Sequence, residues 1–183
     1  VVALAEIGDK TMLLAIVLAA RLRAPWAILA GILVATLANH ALAALVGSQV
    51  AGLLDAPWFR TAVALGFIAM AAWTLVPDKF EDDDDSVRQR GGAFLTTLVA
   101  FFIVEMGDKT QVATIALGAR FHDVIPVTFG TTLGMMIANV PAVFLGHELL
   151  KRVPIDAVRR VAAALFLGIG LWVLAQTAGW IGA

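Results

Sequence analysis

Six long apolar stretches constrain the fold of this chain more than any other feature. Each is long enough to cross about 30 Å of hydrocarbon as a helix. The chain is 61% hydrophobic and 15% charged, whereas soluble domains are about 45–50% apolar and about 25% charged. The sequence therefore predicts an all-α membrane protein with six transmembrane helices. The predicted spans cover roughly residues 2–20, 26–50, 59–76, 94–119, 124–147 and 158–182.

Composition excludes several classes of function. The chain has no cysteine, so disulfides, thiolate metal sites and thiol nucleophiles are ruled out. A net charge of −1 argues against nucleic acid as a partner. No G-x-S-x-G, Walker or H-E-x-x-H pattern occurs, so we predict neither an enzyme nor a prosthetic group. The expected surroundings are the lipid bilayer, and the oligomeric state stays open, a homo-oligomer included.

Basic residues predict the orientation. Nine of them fall on the side of the first, third and fifth loops, and only Arg60 and Arg120 fall on the other side. Because Lys and Arg mark cytoplasmic loops, we expect both termini outside and the acidic segment 81–85 in the cytoplasm. The nine are Arg21, Arg23, Lys79, Arg88, Arg90, Lys151, Arg152, Arg159 and Arg160.

The chain repeats itself with a shift of 99 residues, which carries the hexapeptide that starts at Glu6 (E-I-G-D-K-T) onto the one that starts at Glu105 (E-M-G-D-K-T). The same shift pairs Trp73 with Trp172. We therefore divide the chain into a first three-helix repeat (1–76), an acidic cytoplasmic loop (77–93) and a second repeat (94–183). Three spans are an odd number, so the two repeats should have opposite orientations in the membrane. Such inverted repeats are typical of secondary transporters, whose sites lie near the midplane.

The two copies of the motif differ in what precedes them. Glu105 lies about eleven residues inside its predicted helix, or about 16 Å at 1.5 Å per residue, whereas only five residues precede Glu6. Either the first helix is shorter, or the native chain begins before Val1. The missing initiator Met favours the second explanation.

Each motif places Glu and Asp at positions i and i+3, which share one face of a continuous helix. The glycine between them lets a neighbouring helix or an ion approach the backbone. Ionisable residues at this depth are costly, and they mark functional sites by default. Four acids and two lysines sum to −2, which matches one divalent cation. The acids are Glu6, Asp9, Glu105 and Asp108.

Oxygen ligands narrow the choice of ion. Carboxylates, hydroxyls and amides suit Ca²⁺, Mn²⁺ or Mg²⁺, whereas Zn²⁺ and Cu⁺ prefer imidazole or sulfur. Further candidate ligands lie in the motifs, directly after the second motif, or on the second and fifth spans, where Asn139 aligns with His40. The candidates are Thr11, Thr110, Asn39, Asn139, His40 and Gln111, the last with Met12 as its counterpart.

Three alternatives remain open. Glu6 with Lys10, and Glu105 with Lys109, could be i,i+4 ion pairs that only lock helices together. An intramembrane enzyme could use the paired carboxylates, although a lysine beside each acid does not suit a shared-proton dyad. An exporter of another cation or of amino acids could share the fold.

The doubled E-x-G-D-K-T hexapeptide, set in two groups of three apolar spans separated by an acidic loop, resembles the GDT-type cation/calcium–proton exchangers. These include Golgi Ca²⁺/Mn²⁺ transporters and bacterial manganese exporters. The resemblance covers essentially the whole chain. It implies export of Mn²⁺, or of Ca²⁺, in exchange for protons, with the four motif acids as ion ligands and proton acceptors. Thr11 and Thr110 match the last position of the motif. The compact loops indicate a bacterial member, in the inner (plasma) membrane.

Overall fold

The computed structural model describes residues 1–50, 56–76, 92–146 and 154–180. Within these ranges the chain is helical, which confirms the predicted all-α class. The predicted acidic segment 81–85 lies outside the described residues. The eight helices are α1 (Val2–Glu6), α2 (Lys10–Leu22), α3 (Pro25–Val50), α4 (Pro57–Thr74), α5 (Ala93–Glu105), α6 (Lys109–Phe121), α7 (Val124–Leu145) and α8 (Ile155–Thr177).

Four helices, α3, α4, α7 and α8, follow predicted spans closely. Pro25 and Pro57 stand in the first turns of α3 and α4, where a missing N–H costs no hydrogen bond. Among the described residues, α3, α7 and α8 are long and apolar enough to cross a membrane, and α5 is a shorter apolar helix. The chain is thus a multi-pass membrane protein, while the full count of six spans stays a prediction.

The other two predicted spans are not continuous helices, and that prediction was wrong. The first hexapeptide separates α1 from α2, and the second separates α5 from α6. Gly8 and Gly107 adopt φ values of 83° and 80°, which glycine reaches without the steric cost that a side chain would meet. The residues before them, Ile7 and Met106, are extended. Each motif is therefore a helix break.

Helix α3 lies at the centre and approaches its neighbours closely through glycines. A Cβ atom added to Gly47 would lie 2.2 Å from the carbonyl oxygen of Ile115 on α6. One added to Gly118 of α6 would lie 2.6 Å from the carbonyl oxygen of Ala44. Small residues allow such backbone contacts between membrane helices. Larger side chains at these positions would push α3 and α6 apart.

Helices α4 and α8 form a pair beside this core. Phe67 of α4 stacks on Phe166 of α8 with ring centroids 6.4 Å apart. The pair packs along α1 and α6 in one apolar cluster, which includes Ala5 of α1, Ala113 of α6 and Ala162 of α8. The α4–α8 pair therefore borders both halves of the candidate site without contributing a motif residue.

Candidate functional site

The helix breaks bring the motif acids together. Glu6 is the last residue of α1, and Asp9 is the N-cap of α2. Asp108 is likewise the N-cap of α6. One carboxylate oxygen from each of these three residues lies within 4.8 Å of the others. Unwound backbone at membrane depth is tolerated where protein surrounds it, so the breaks serve to aim carboxylates at a common point.

The fourth acid, Glu105, borders the same cluster. It is the last residue of α5, and its backbone carbonyl oxygen accepts a hydrogen bond of 3.1 Å from the N–H of Asp108. Each glutamate accepts a hydrogen bond from the threonine of its own motif. The Thr11 hydroxyl donates to Glu6 Oε2 at 2.5 Å, and the Thr110 hydroxyl donates to Glu105 Oε1. The threonines therefore hold the glutamates in place.

The two lysines cross between the motifs. Lys10 Nζ lies 3.2 Å from Asp108 Oδ1, and Lys109 Nζ lies 3.2 Å from Asp9 Oδ1. The alternative of i,i+4 ion pairs predicts that Lys10 pairs with Glu6, but the described ion pair of Lys10 is with Asp108 of the opposite motif. Breaking the helix removes the i,i+4 geometry on which that alternative depends. The lysines therefore connect the two halves of the site.

Carboxylate oxygens in this cluster are buried and open to further ligands. Glu6 is 0% exposed, and Glu105 and Asp108 are each 1% exposed. Among the described residues, Glu6 Oε1, Glu105 Oε2 and Asp108 Oδ2 have no hydrogen-bond partner. Burying such atoms unpaired is costly. A hard cation, which prefers oxygen ligands, would bind these carboxylate oxygens. The donor set therefore fits Ca²⁺, Mn²⁺ or Mg²⁺.

The two predicted amide ligands, Asn39 and Asn139, are buried and donate hydrogen bonds to backbone carbonyls. Asn39 donates through Nδ2 to the carbonyl oxygen of Phe102 at 3.1 Å, and Asn139 donates to that of Met135 at 3.0 Å. In both cases Oδ1 is buried and without a hydrogen-bond partner in the described ranges. These two oxygens remain available to a cation. Their role as ligands stays a prediction.

His40 and Gln111 have other contacts. His40 Nε2 lies 3.5 Å from Glu105 Oε1, so this histidine touches the cluster from α3. Gln111 Oε1 accepts a hydrogen bond of 2.6 Å from the exposed backbone N–H of Gly107. That contact braces the second helix break, and the described contacts do not bring Gln111 to the acids.

A sequence profile described as the divalent cation/proton antiporter GDT1 matches residues 1–82 and 93–180. This chain belongs to that family. The resemblance predicted from the doubled hexapeptide is thereby confirmed, and the family is one of transporters rather than of enzymes. No solved structure matches the chain.

Similar proteins agree with this membership. A protein of Vibrio cholerae named "Putative manganese exporter" is 48% identical over 171 residues, which is 93% of this chain and 84% of that protein. The GDT1-like protein sll0615 of Synechocystis is 28% identical over 185 residues, 90% of this chain and 88% of the relative. The GDT1-like protein 4 of Oryza sativa subsp. indica is 38% identical over 78 residues, 43% of this chain and 27% of the relative.

In this GDT1 family member, sequence reasoning missed one residue near the site. Trp73 of α4 places its ring 5.9 Å from Lys109 Nζ, within the range of a cation–π contact. Two signals were available, namely the repeat match of Trp73 with Trp172 and a tryptophan inside an apolar span. Tryptophan in membrane proteins usually lies at the membrane–water interface, and this expectation outweighed both signals.

The two break glycines of the GDT1 motifs offer a matched test of packing at the site. Both have positive φ, but a Cβ atom at Gly8 would lie 2.3 Å from Ile155 Cγ2, whereas no atom of the described residues lies within 4 Å of one at Gly107. Alanine strains the backbone at both positions. Overpacking adds about 1–3 kcal/mol, so we expect Gly8→Ala to lower the free energy of unfolding by that much more than Gly107→Ala. Denaturant unfolding in detergent, followed by circular dichroism, measures both, and equal losses would contradict the expectation.

Proposed function

We propose that this protein exports Mn²⁺, or Ca²⁺, from the bacterial cytoplasm in exchange for protons. The observation that carries the proposal is the meeting of three buried carboxylates within 4.8 Å at two helix breaks. Family membership supports the exchange, and the name of the Vibrio cholerae relative supports manganese as the cargo. Hard oxygen ligands are compatible with either ion.

The proposed architecture is two inverted three-helix repeats, residues 1–76 and 94–183, joined by a cytoplasmic loop over 77–93. Contacts related by the 99-residue shift support a two-fold relation. Lys10 with Asp108 becomes Lys109 with Asp9 when the repeats are exchanged, and both distances are 3.2 Å. Phe67 also stacks on Phe166, its own counterpart. Reciprocal contacts of this kind are typical of an isologous two-fold interface. The odd number of spans in each repeat then gives opposite orientations, with both termini outside.

Exchange follows from competition for the same oxygens. Deprotonated carboxylates bind the divalent cation, and protons that arrive from outside displace it. Asp9 and Asp108 are the N-caps of helices α2 and α6, and the positive ends of the helix dipoles stabilise the charged carboxylates. Neither aspartate caps its own helix through its side chain, so both carboxylates are directed into the cluster rather than back at the backbone. The four acids are the ligands and proton acceptors, with Thr11, Thr110, Asn39 and Asn139 as further candidate ligands.

Proton flux in proteoliposomes tests this function. A Mn²⁺ gradient, with no organic substrate added, should drive proton movement at least about tenfold faster than in protein-free liposomes, because the exchanger couples the movement of the cation to that of protons. A pH-sensitive dye inside the vesicles reports it. Parallel gradients of Mn²⁺, Ca²⁺ and Mg²⁺ rank the ions. Absence of metal-driven flux would contradict the exchanger and favour the enzyme or the amino-acid exporter.

A further inference from the structure

The α4–α8 pair breaks the symmetry that the motifs keep. Ile155 of α8 packs its Cγ2 methyl onto Gly8. Exchanging the repeats converts this contact into one between Ala56 and Gly107. Within the described residues that second contact is absent, since Gly107 is exposed and a Cβ atom there would have no described atom within 4 Å. One break is covered by the α4–α8 pair and the other is not.

The lysines show the same asymmetry. Lys109 is 4% exposed and lies under Trp73. Its counterpart Lys10 is 32% exposed, and within the described ranges it has no cation–π contact with Trp172. Trp172 instead lines a cavity beside Arg120, at the far end of α6. The tryptophan of one repeat covers the site, and the tryptophan of the other lies away from it.

Both covering contacts lie at one end of the α4–α8 pair. Trp73 is in the last turn of α4, and Ile155 begins α8. The other end of the pair reaches the end of α6, where Phe59 clusters with Ala119 and Gln176 bonds Arg120 at 3.3 Å. The pair thus runs along α1 and α6, the half-helices on one side of the breaks. If the two repeats exchanged their conformations, the α4–α8 pair would lie along α2 and α5.

We propose that the α4–α8 pair moves between these two arrangements during transport, with Trp73 and Ile155 covering the site in one and Trp172 and Ala56 covering it in the other. This rests on the proposed inverted repeat. The 99-residue shift pairs Trp73 with Trp172 and Lys109 with Lys10, so each arrangement has a tryptophan that can cover a motif lysine. Trp73 and Trp172 are then positioning residues that act through the lysines. Ion access alternates because the uncovered half of the site changes sides.

Paired cysteines can trap each arrangement, because the native chain has no cysteine. Ala5 and Ala162 belong to one buried cluster between α1 and α8, so Ala5→Cys with Ala162→Cys reports the arrangement seen here. Exchange of the repeats converts this pair into Val104 and Val63. Those two valines now lie in different clusters, so Val63→Cys with Val104→Cys reports the other arrangement.

The experiment applies a short bifunctional thiol cross-linker to each double variant in proteoliposomes during Mn²⁺-driven exchange. We expect both pairs to cross-link, and flux to fall at least about tenfold in each cross-linked sample. Adding Trp73→Leu should raise the cross-linking yield of the Val63/Val104 pair, relative to that of the Ala5/Ala162 pair, by about threefold. This factor corresponds to the free energy of a partly exposed cation–π contact. Trp172→Leu should shift it the opposite way, which a merely structural tryptophan would not do.

Two results would overturn the proposal. One is a Val63/Val104 pair that never cross-links under turnover, and the other is a cross-linked Ala5/Ala162 protein that keeps its flux. Failure of the proposed function has a different signature. The variants without cross-linker would then carry no Mn²⁺-driven proton flux, whatever their cross-linking yields.

Discussion

Asp108→Asn is expected to abolish Mn²⁺-driven proton flux. The substitution keeps the size of the side chain and one oxygen, but it removes a negative charge from a cluster that sums to −2. Asp108 is 1% exposed, and Lys10 lies 3.2 Å from its Oδ1. The cation loses a charged ligand, and truncating one partner of a buried charge contact at a binding site costs about 2–5 kcal/mol. Metal binding should therefore weaken by about hundredfold, and flux should fall to background.

Two matched variants sharpen this test. Asp9→Asn should behave like Asp108→Asn, because the repeats make the two residues equivalent and both bridge to a lysine. Asp156→Asn should keep nearly full flux, since Asp156 is 80% exposed and its ion pair in the described part of the chain is with Arg159 of the same helix, away from the cluster. Isothermal titration with Mn²⁺ and flux in proteoliposomes measure binding and transport separately. Unimpaired flux in Asp108→Asn would favour a purely structural ion pair.

The sequence was sufficient to predict the convergence of the acids but not the path of the backbone. The doubled hexapeptide predicts one site shared by both motifs, and three of the four acids meet within 4.8 Å. The prediction of continuous helices failed because glycine inside an apolar helix costs only about 1 kcal/mol and is often tolerated. Aspartate after glycine is also a start signal for a helix. Within an apolar span, that local signal in Gly8-Asp9 was outweighed by hydropathy.

The ion-pair partners of the two lysines could not be predicted from the sequence, for the same reason. An i,i+4 pairing of Glu6 with Lys10 presupposes an unbroken helix. Once the break is present, Lys10 starts a new helix and its side chain reaches Asp108 of the other repeat. Contacts between residues that are far apart in sequence depend on how the two repeats dock. Apolar periodicity carries no information on that docking.

The asymmetry of the α4–α8 pair could not be predicted from the sequence, because the repeat gives both halves the same pattern. Trp73 and Trp172 occupy equivalent positions, yet only Trp73 covers a motif lysine in the described structure. The internal repeat gives each half of the chain the same set of possible contacts. In one conformation the α4–α8 pair can lie along only one half of the site, so only one of two equivalent contacts forms.

Lys109→Gln should tighten metal binding while slowing transport. Lys109 Nζ lies 3.2 Å from Asp9 Oδ1, so an arriving cation competes with the ammonium group for that oxygen. Removing the ammonium makes the cluster one unit more negative in a low-dielectric setting, where charge interactions are strong. We expect Mn²⁺ affinity to rise by about tenfold, which corresponds to about 1.4 kcal/mol. Release should slow in proportion, and flux should fall.

The exposure of the two lysines predicts that their variants differ. Lys109 is 4% exposed and Lys10 is 32% exposed, so solvent already screens the charge of Lys10 and Lys10→Gln should change affinity less. Lys109→Arg keeps the charge and serves as the control, with affinity near that of the unmodified protein. Titration with Mn²⁺ and thermal unfolding with and without the ion complete the test. Because the Lys109→Gln substitution leaves the buried carboxylates less compensated, Mn²⁺ should raise the melting temperature of this variant more than that of the unmodified protein. Weaker Mn²⁺ binding by Lys109→Gln would instead show that the lysine organises the ligands rather than competing with the ion.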